Sequence, residues 1–163
     1  MPSLLSGLDL TGTAYCAAFR FRMAARAVSR LFDAALQESG IRSTQFAILV
    51  AVAKKQPIPI HALSEILFID QTTLTRSLKL MRNEGFLTVS QRSTMRQRFV
   101  TLTPKGEQAL ARAVPLWRKI QDQFVRKVGP GHWAELRDEL AELSELAAML
   151  ENAETKLGPA KHR

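Results

Sequence analysis

The stretch from residue 70 to residue 106, DQTTLTRSLKLMRNEGFLTVSQRSTMRQRFVTLTPKG, decides how the rest of the chain is read. Its first half has helical period. Asp70 is a good N-cap, Leu74, Leu78 and Met81 recur at spacings of three and four, and Gly85 is a C-terminal stop, so a helix is predicted over about Gln71 to Glu84. The period then changes. Phe86 to Ser90 and Arg98 to Leu102 alternate apolar and polar residues and read as two short strands, joined by a long hairpin tip, Gln91 to Gln97, with no Gly or Pro. Thr103-Pro104 reads as an N-cap followed by proline at the first position of another helix.

This stretch also holds most of the chain's surplus charge. The 163 residues carry a formal net charge of +8. Residues 71–106 contribute +6 of it, with seven Lys or Arg against the single acid Glu84, whereas residues 1–70 contribute +2 and residues 107–163 none. A basic balance alone points only weakly to a polyanionic partner, but a basic balance confined to one helix and one hairpin is a footprint with an address. Opposite the apolar side of the helix lie Thr72, Arg76, Lys79 and Asn83, flanked by Thr75 and Arg82, with Gln71 at its start. Arg92, Arg96 and Arg98 fall at or beside the hairpin tip. Taken singly, each has an ordinary explanation: an exposed helix face is polar anyway, and an edge hairpin is protected from aggregation by charge. Taken together they read as a recognition helix for a major groove and a wing whose arginines suit a minor groove.

Upstream, a long helix is expected from about Thr13 to Ser39, with Gly40 as its stop. Phe21, Ala24, Val28, Leu31, Phe32 and Ala35 form one apolar stripe on it, and Cys16, Phe19, Met23 and Ala27 a second, so it should be buried on two sides, one of them against a partner subunit. A second helix, from Ser43 or Thr44 to Lys54, should bury Phe46, Leu49, Val50 and Ala53. Pro57 and Pro59 break the chain, and a short helix from Ile60 to Leu67 should bury Leu63, Ile66 and Leu67. Downstream, a fifth helix to about Val128 carries Leu110, Val114, Trp117, Ile120, Phe124 and Val128. After Gly129-Pro130-Gly131 a sixth carries Trp133, Leu136, Leu140, Leu143, Ala147 and Leu150 as a short heptad seam, followed by a polar, fraying tail after Asn152.

The fold class is therefore mainly α: a winged helix-turn-helix with N- and C-terminal dimerisation helices. Its expected parts are an N-terminal dimerisation helix (1–40), a DNA-binding domain (41–103) and C-terminal dimerisation helices with a polar tail (104–163). A homodimer should meet a pseudo-palindromic operator in double-stranded DNA.

Leu63-Ser64-Glu65-Ile66-Leu67, Asp70 with Thr73-Leu74-Thr75-Arg76, Gly85-Phe86-Leu87, and Val100-Thr101-Leu102-Thr103-Pro104-Lys105-Gly106 resemble the MarR family of bacterial regulators, as does the stretch from Arg22 to Gln45-Phe46. The resemblance covers about residues 14 to 150, and the run Leu102 to Gly106 is its most specific part. It implies a winged-helix dimer joined through its terminal helices. It also implies operator binding, usually repression, relieved by a small aromatic or phenolic effector or by oxidation. One departure stands out: where the family's wing carries Asp, a spacer and Arg, this chain has Thr94, Met95 and Arg96, so the arginine lacks the acid that would orient it.

Other chemistries leave little trace. Cys16, with Arg20 one turn on, is the candidate for a redox-sensing cysteine, against the plain alternative of a small buried residue. As the only cysteine it excludes an intrachain disulfide. His61, His132 and His162 are scattered, so neither a metal nor a cofactor is expected. No phosphate-binding glycine loop and no nucleophile–base pairing suggests an enzyme. No secretory signal or membrane span is visible, so a cytoplasmic protein is expected. The rival reading from another class is an interaction protein that turns the same basic face to acidic protein or lipid.

Overall fold

A computed structural model describes residues 8–91 and 97–157, with the backbone alone for residues 14 and 154–157. The chain divides into two compact units, residues 1–118 and 119–163.

In the first unit a 3-10 turn (Thr13–Tyr15) precedes helix α1 (Ala17–Leu36), and a second 3-10 turn (Gln37–Ser39) ends it at Gly40. The expected single helix over 13–39 is thus interrupted. Cys16 has φ −55° and ψ 114°, which is not helical, and α1 starts just after it. Next come α2 (Ser43–Lys55), the two-residue strand β1 (Ile58–Pro59), α3 (Ile60–Leu67), α4 (Gln71–Asn83), strands β2 (Leu87–Gln91) and β3 (Arg98–Leu102), and α5 (Pro104–Val128). The second unit is built on the end of α5 and on α6 (Pro130–Leu157). The polar end of α6 stays helical past Asn152, to Leu157, where fraying was expected.

The core of the first unit gathers one or two faces from each element. Leu36, Leu49, Val52, Leu63, Leu74, Met81, Val100, Ala109 and Ala113 have no exposed surface, and Ile48, Leu78 and Leu87 have at most 2%. The buried faces of α2 and α3 differ from those expected. In α2 the inner residues are Ile48, Leu49, Ala51 and Val52, while Phe46 and Val50 are half-buried and Ala53 is exposed. Residues 46–53 are apolar on every side, so periodicity could not fix the phase. In α3 Leu63 is buried, but Ile66 is 50% exposed.

The sheet has three antiparallel strands in the order β1-β3-β2, with Ile58 opposite Val100 and Leu87 opposite Leu102. β1 was not expected, because Pro57 and Pro59 read as breaks. A proline cannot donate to a ladder, so it is tolerated only in an edge strand such as this one. The Leu102 N–H donates to the Gln56 side-chain oxygen at 2.8 Å, a further link between this loop and the hairpin.

The two-sided burial expected of α1 does not occur within one chain. Phe19, Phe21, Met23, Val28 and Leu31 are all exposed, and only the last turns, from Phe32 to Leu36, approach the core. In the second unit the Phe124 and Trp133 rings meet edge to face at 5.6 Å, and Leu140, Leu143 and Leu150 of the seam are exposed.

Candidate nucleic-acid interface

Helix α4 is launched by a tight turn. Phe68 ends α3 in the left-handed conformation, at φ 50°, so its N–H reaches back to the Glu65 carbonyl and the Ile69 N–H to that of Ser64. Two residues later Asp70 caps α4, its carboxylate accepting the Thr73 N–H at 2.9 Å. Hydrogen bonds from Thr73, first through its side chain and then its backbone, hold the Asp70 carboxyl below its ordinary value. With Leu74, Leu78 and Met81 locked inside, the phase of the remaining residues is settled at about 100° per residue.

Three outward directions result. Thr72, Arg76, Lys79 and Asn83 point away from the core and are exposed. Gln71, Thr75 and Arg82 lie on the flank facing the hairpin, while Ser77 and Leu80 lie on the flank facing α2. The first flank is where helix and wing meet. Arg98 opens β3 and lines three adjoining hollows: one with Gln71 and Thr75, one with Thr75, Lys79 and Arg82, and one with Arg82 and Ser90. The structure therefore brings Gln71, Thr75, Arg82 and Arg98 together along one angle, with Lys79 at its rim and Thr72 and Arg76 on the adjoining outer face. Arg92 and Arg96 lie outside the described residues, as do Thr94 and Met95.

The glycine and proline run at the end of the hairpin holds this arrangement from behind. The Thr103 hydroxyl donates to the Gly85 carbonyl at 2.6 Å and accepts the Gly106 N–H at 3.1 Å, the cap expected of Thr103-Pro104. Lys105 sends its ammonium to the Glu84 carbonyl at 2.6 Å and rests it over the Phe86 ring. Gly106 passes so close that a Cβ there would lie 1.9 Å from the Phe86 carbonyl oxygen, so no other residue fits without moving the backbone. The end of α4 is thus tied to the start of α5. Sequence reasoning quoted these residues only as a motif; their contacts run across 18 to 21 residues of chain, which no local spacing reveals.

Cys16 is exposed and free, at the break before α1, so the expectation of a buried position on an apolar stripe is corrected. Among the described residues no group of His, Cys, Asp and Glu could hold a metal ion, and no helix is long and apolar enough to cross a membrane. Sequence reasoning also missed a cleft of about 390 Å³ between α1, α2, α3 and α5, lined by Phe32, Phe46, Val50, Ile66 and Trp117, with Ser43 at its edge. The Phe46 and Trp117 rings stack there at 5.6 Å. The sequence offers Trp117 as a candidate pocket-lining residue beside its role in packing, and Phe46 for packing alone; only the fold brings the two rings together.

A basic helix set against a basic wing, on a three-stranded base, defines a winged helix-turn-helix protein of the transcription-regulator class. The pattern of the MarR family matches residues 41–94. The regulator HosA of Escherichia coli O127:H6 is 33% identical over 85 residues, 52% of this chain and 63% of HosA, so the match spans under two thirds of that relative's length. An uncharacterised HTH-type transcriptional regulator of Staphylococcus aureus strain Mu50 is 30% identical over 99 residues, 60% of this chain and 68% of the relative. Among solved structures, the regulator MosR of Mycobacterium tuberculosis in complex with DNA superposes with a TM-score of 0.77 at 35% identity, covering 83% of this chain and 98% of MosR. The chain belongs to the MarR family.

Proposed function

We propose that the protein is a homodimeric, sequence-specific DNA-binding regulator that acts in the cytoplasm, represses from a pseudo-palindromic operator and lets go when a small aromatic effector binds. The observation that carries this reading is the continuous basic face: Thr72, Arg76 and Lys79 on the outside of α4, and Thr75, Arg82 and Arg98 in its angle with the wing, with no carboxylate among them. α4 enters a major groove, where Arg76 and Thr72, pointing straight out, meet base edges. Thr75, deeper in the angle, positions the helix together with Gln71. Lys79, Arg82 and Arg98 meet phosphate, and the wing arginines Arg92 and Arg96 reach the flanking minor groove. Exposed apolar residues on α1 and, in the other unit, on α6 each suit contact with a second copy. The cleft beside Trp117 has the size and apolar lining to take one planar ring.

Binding to a selected operator and to a scrambled duplex across a salt series tests the reading. Losing a base contact costs about 1–3 kcal/mol and relaxes sequence choice, whereas losing a phosphate contact weakens all sequences alike and lowers the salt slope by about one. Arg76→Ala is expected to narrow the gap between operator and scrambled DNA, and Lys79→Ala to weaken both with a smaller salt slope. If Arg76→Ala stays as selective as the parent protein, α4 is not the reader.

A further inference from the structure

Helix α2 is a partition. Ser43, Phe46, Ala47, Val50 and Ala51 lie on one side of it and line the aromatic cleft. Thr44, Gln45 and Ile48 lie on the other and, with Ser77, Leu80, Met81 and Glu84 of α4 and its cap, line a second hollow of about 410 Å³. The two sets are opposed because residues two apart on a helix point about 200° apart. Polar contacts run through the first turn of this partition from side to side. The Ser43 N–H and hydroxyl both donate to the Asp33 carboxylate of α1, at 2.7 and 2.6 Å. The Gln45 side-chain oxygen accepts the Arg42 N–H at 2.9 Å, and its amide donates to the Glu84 carboxylate at 2.7 Å. Glu84 caps the end of the reading helix, and its carbonyl is held from the far side by Lys105.

We propose that α2 acts as a lever, in which the Gln45–Glu84 hydrogen bond transmits occupancy of the cleft lined by Phe46 and Trp117 to the reading helix α4. This rests on the DNA-reading function proposed above. A ring that enters the cleft presses on Phe46, Ala47 and Val50. The first turn of α2 is tied to α1 by the two Ser43–Asp33 hydrogen bonds and closed by the bond from the Arg42 N–H to Gln45, so the displacement reappears on its other side at Gln45, which grips the carboxylate at the end of α4. Lys105 fixes the backbone of that same residue, so α4 pivots about its C-terminal end and its outward residues sweep across the groove. Gln45 and Glu84 are therefore positioning residues. They touch neither DNA nor the occupant of the cleft.

A built-in occupant tests the lever without knowledge of the natural effector. Ala47 is exposed on the cleft side of α2, and Ala47→Phe puts a ring into the cleft. DNA is taken from a random pool by selection with the parent protein. Ala47→Phe is expected to change affinity for the selected duplex about fivefold or more, the lower end of ordinary coupling between sites, and to shift the amide resonances of Ser77 to Phe86. In the Glu84→Ala background the same substitution should change affinity twofold or less and leave those resonances in place. Glu84→Gln, which keeps an oxygen for the Gln45 amide, should restore the response. If circular dichroism shows that Ala47→Phe does not fold, Ala47→Leu replaces it. The lever is overturned if filling the cleft leaves α4 unmoved in the parent protein, or if its effect is equally large with Glu84→Ala. If the parent protein selects no sequence, the DNA-reading function fails, and the amide resonances still decide whether α2 drives α4.

Discussion

Helices α4 and α6 carry apolar residues at the same spacing and end in different surroundings. In α4, Leu74, Leu78 and Met81 are at most 2% exposed. In α6, Leu140, Leu143 and Leu150 of the seam are 37%, 44% and 59% exposed. The first is shut in by its own unit, with side chains from α2, α3, the sheet and α5 completing one core. The second ends in solvent within one chain. Helical periodicity shows that a face is suited to burial; it does not name the surface that covers it.

Core truncation should give the largest difference between these regions. Leu74→Ala is expected to cost about 2–5 kcal/mol in urea unfolding, because it leaves a cavity among groups that cannot close over it. A loss below about 1 kcal/mol would break the comparison. Leu143→Glu should leave the far-UV signature of the first unit intact and weaken self-association by about 2 kcal/mol, near thirtyfold in dissociation constant, by sedimentation equilibrium. An unchanged dimer would remove α6 from the joining surface.

The same substitution at two glycines should then sharpen it. Gly106→Ala forces a Cβ into the Phe86 carbonyl, and a loss of about 1–3 kcal/mol is expected. Gly131→Ala meets nothing within 4 Å at the start of α6, and a gain of a few tenths up to about 1 kcal/mol is expected. Unfolding midpoints of the two variants should move in opposite directions.

The smallest effect concerns the launch of α4. The folded Asp70 carboxyl sits below its ordinary value, so its contribution is fully present above that ordinary value and fades as pH falls through the lowered one. Amide protection of Thr73 should decline across that acid window. With Asp70→Ser, which caps without a charge, the decline should be absent; if it persists, the cap carboxylate is not its cause.

The helix over 71–83 and the hairpin were legible because polar and apolar residues alternate there with one unambiguous period, so a phase error would put charge in the core. In the helix over 60–67 the element was legible but its buried face was not, since Ile66 is half exposed. The phase of α2 was not legible, since residues 46–53 offer no polar reference. β1 was hidden by Pro57 and Pro59, and only the sheet reveals that Pro59 stands in an edge strand. Of the interface, the sequence showed which residues are basic and which share a helix face. It could not show that Arg98 closes the angle beside Gln71, Thr75 and Arg82, because the register of β2 on β3 sets that position across the hairpin.

The strand β1 gives the hairpin a second neighbour at its base. With Ile58 fixed opposite Val100 on one edge and Val89 opposite Val100 on the other, the register of β3 is set from both sides. Sliding by one residue would turn Val100 outward and break both ladders at once. The length of the connection between Gln91 and Arg98 is thereby released from any part in registration. A connection of another length can be spliced there while α4 and the basic angle beside Arg98 keep their places, which makes it a point at which an engineer can vary the surface without disturbing the frame.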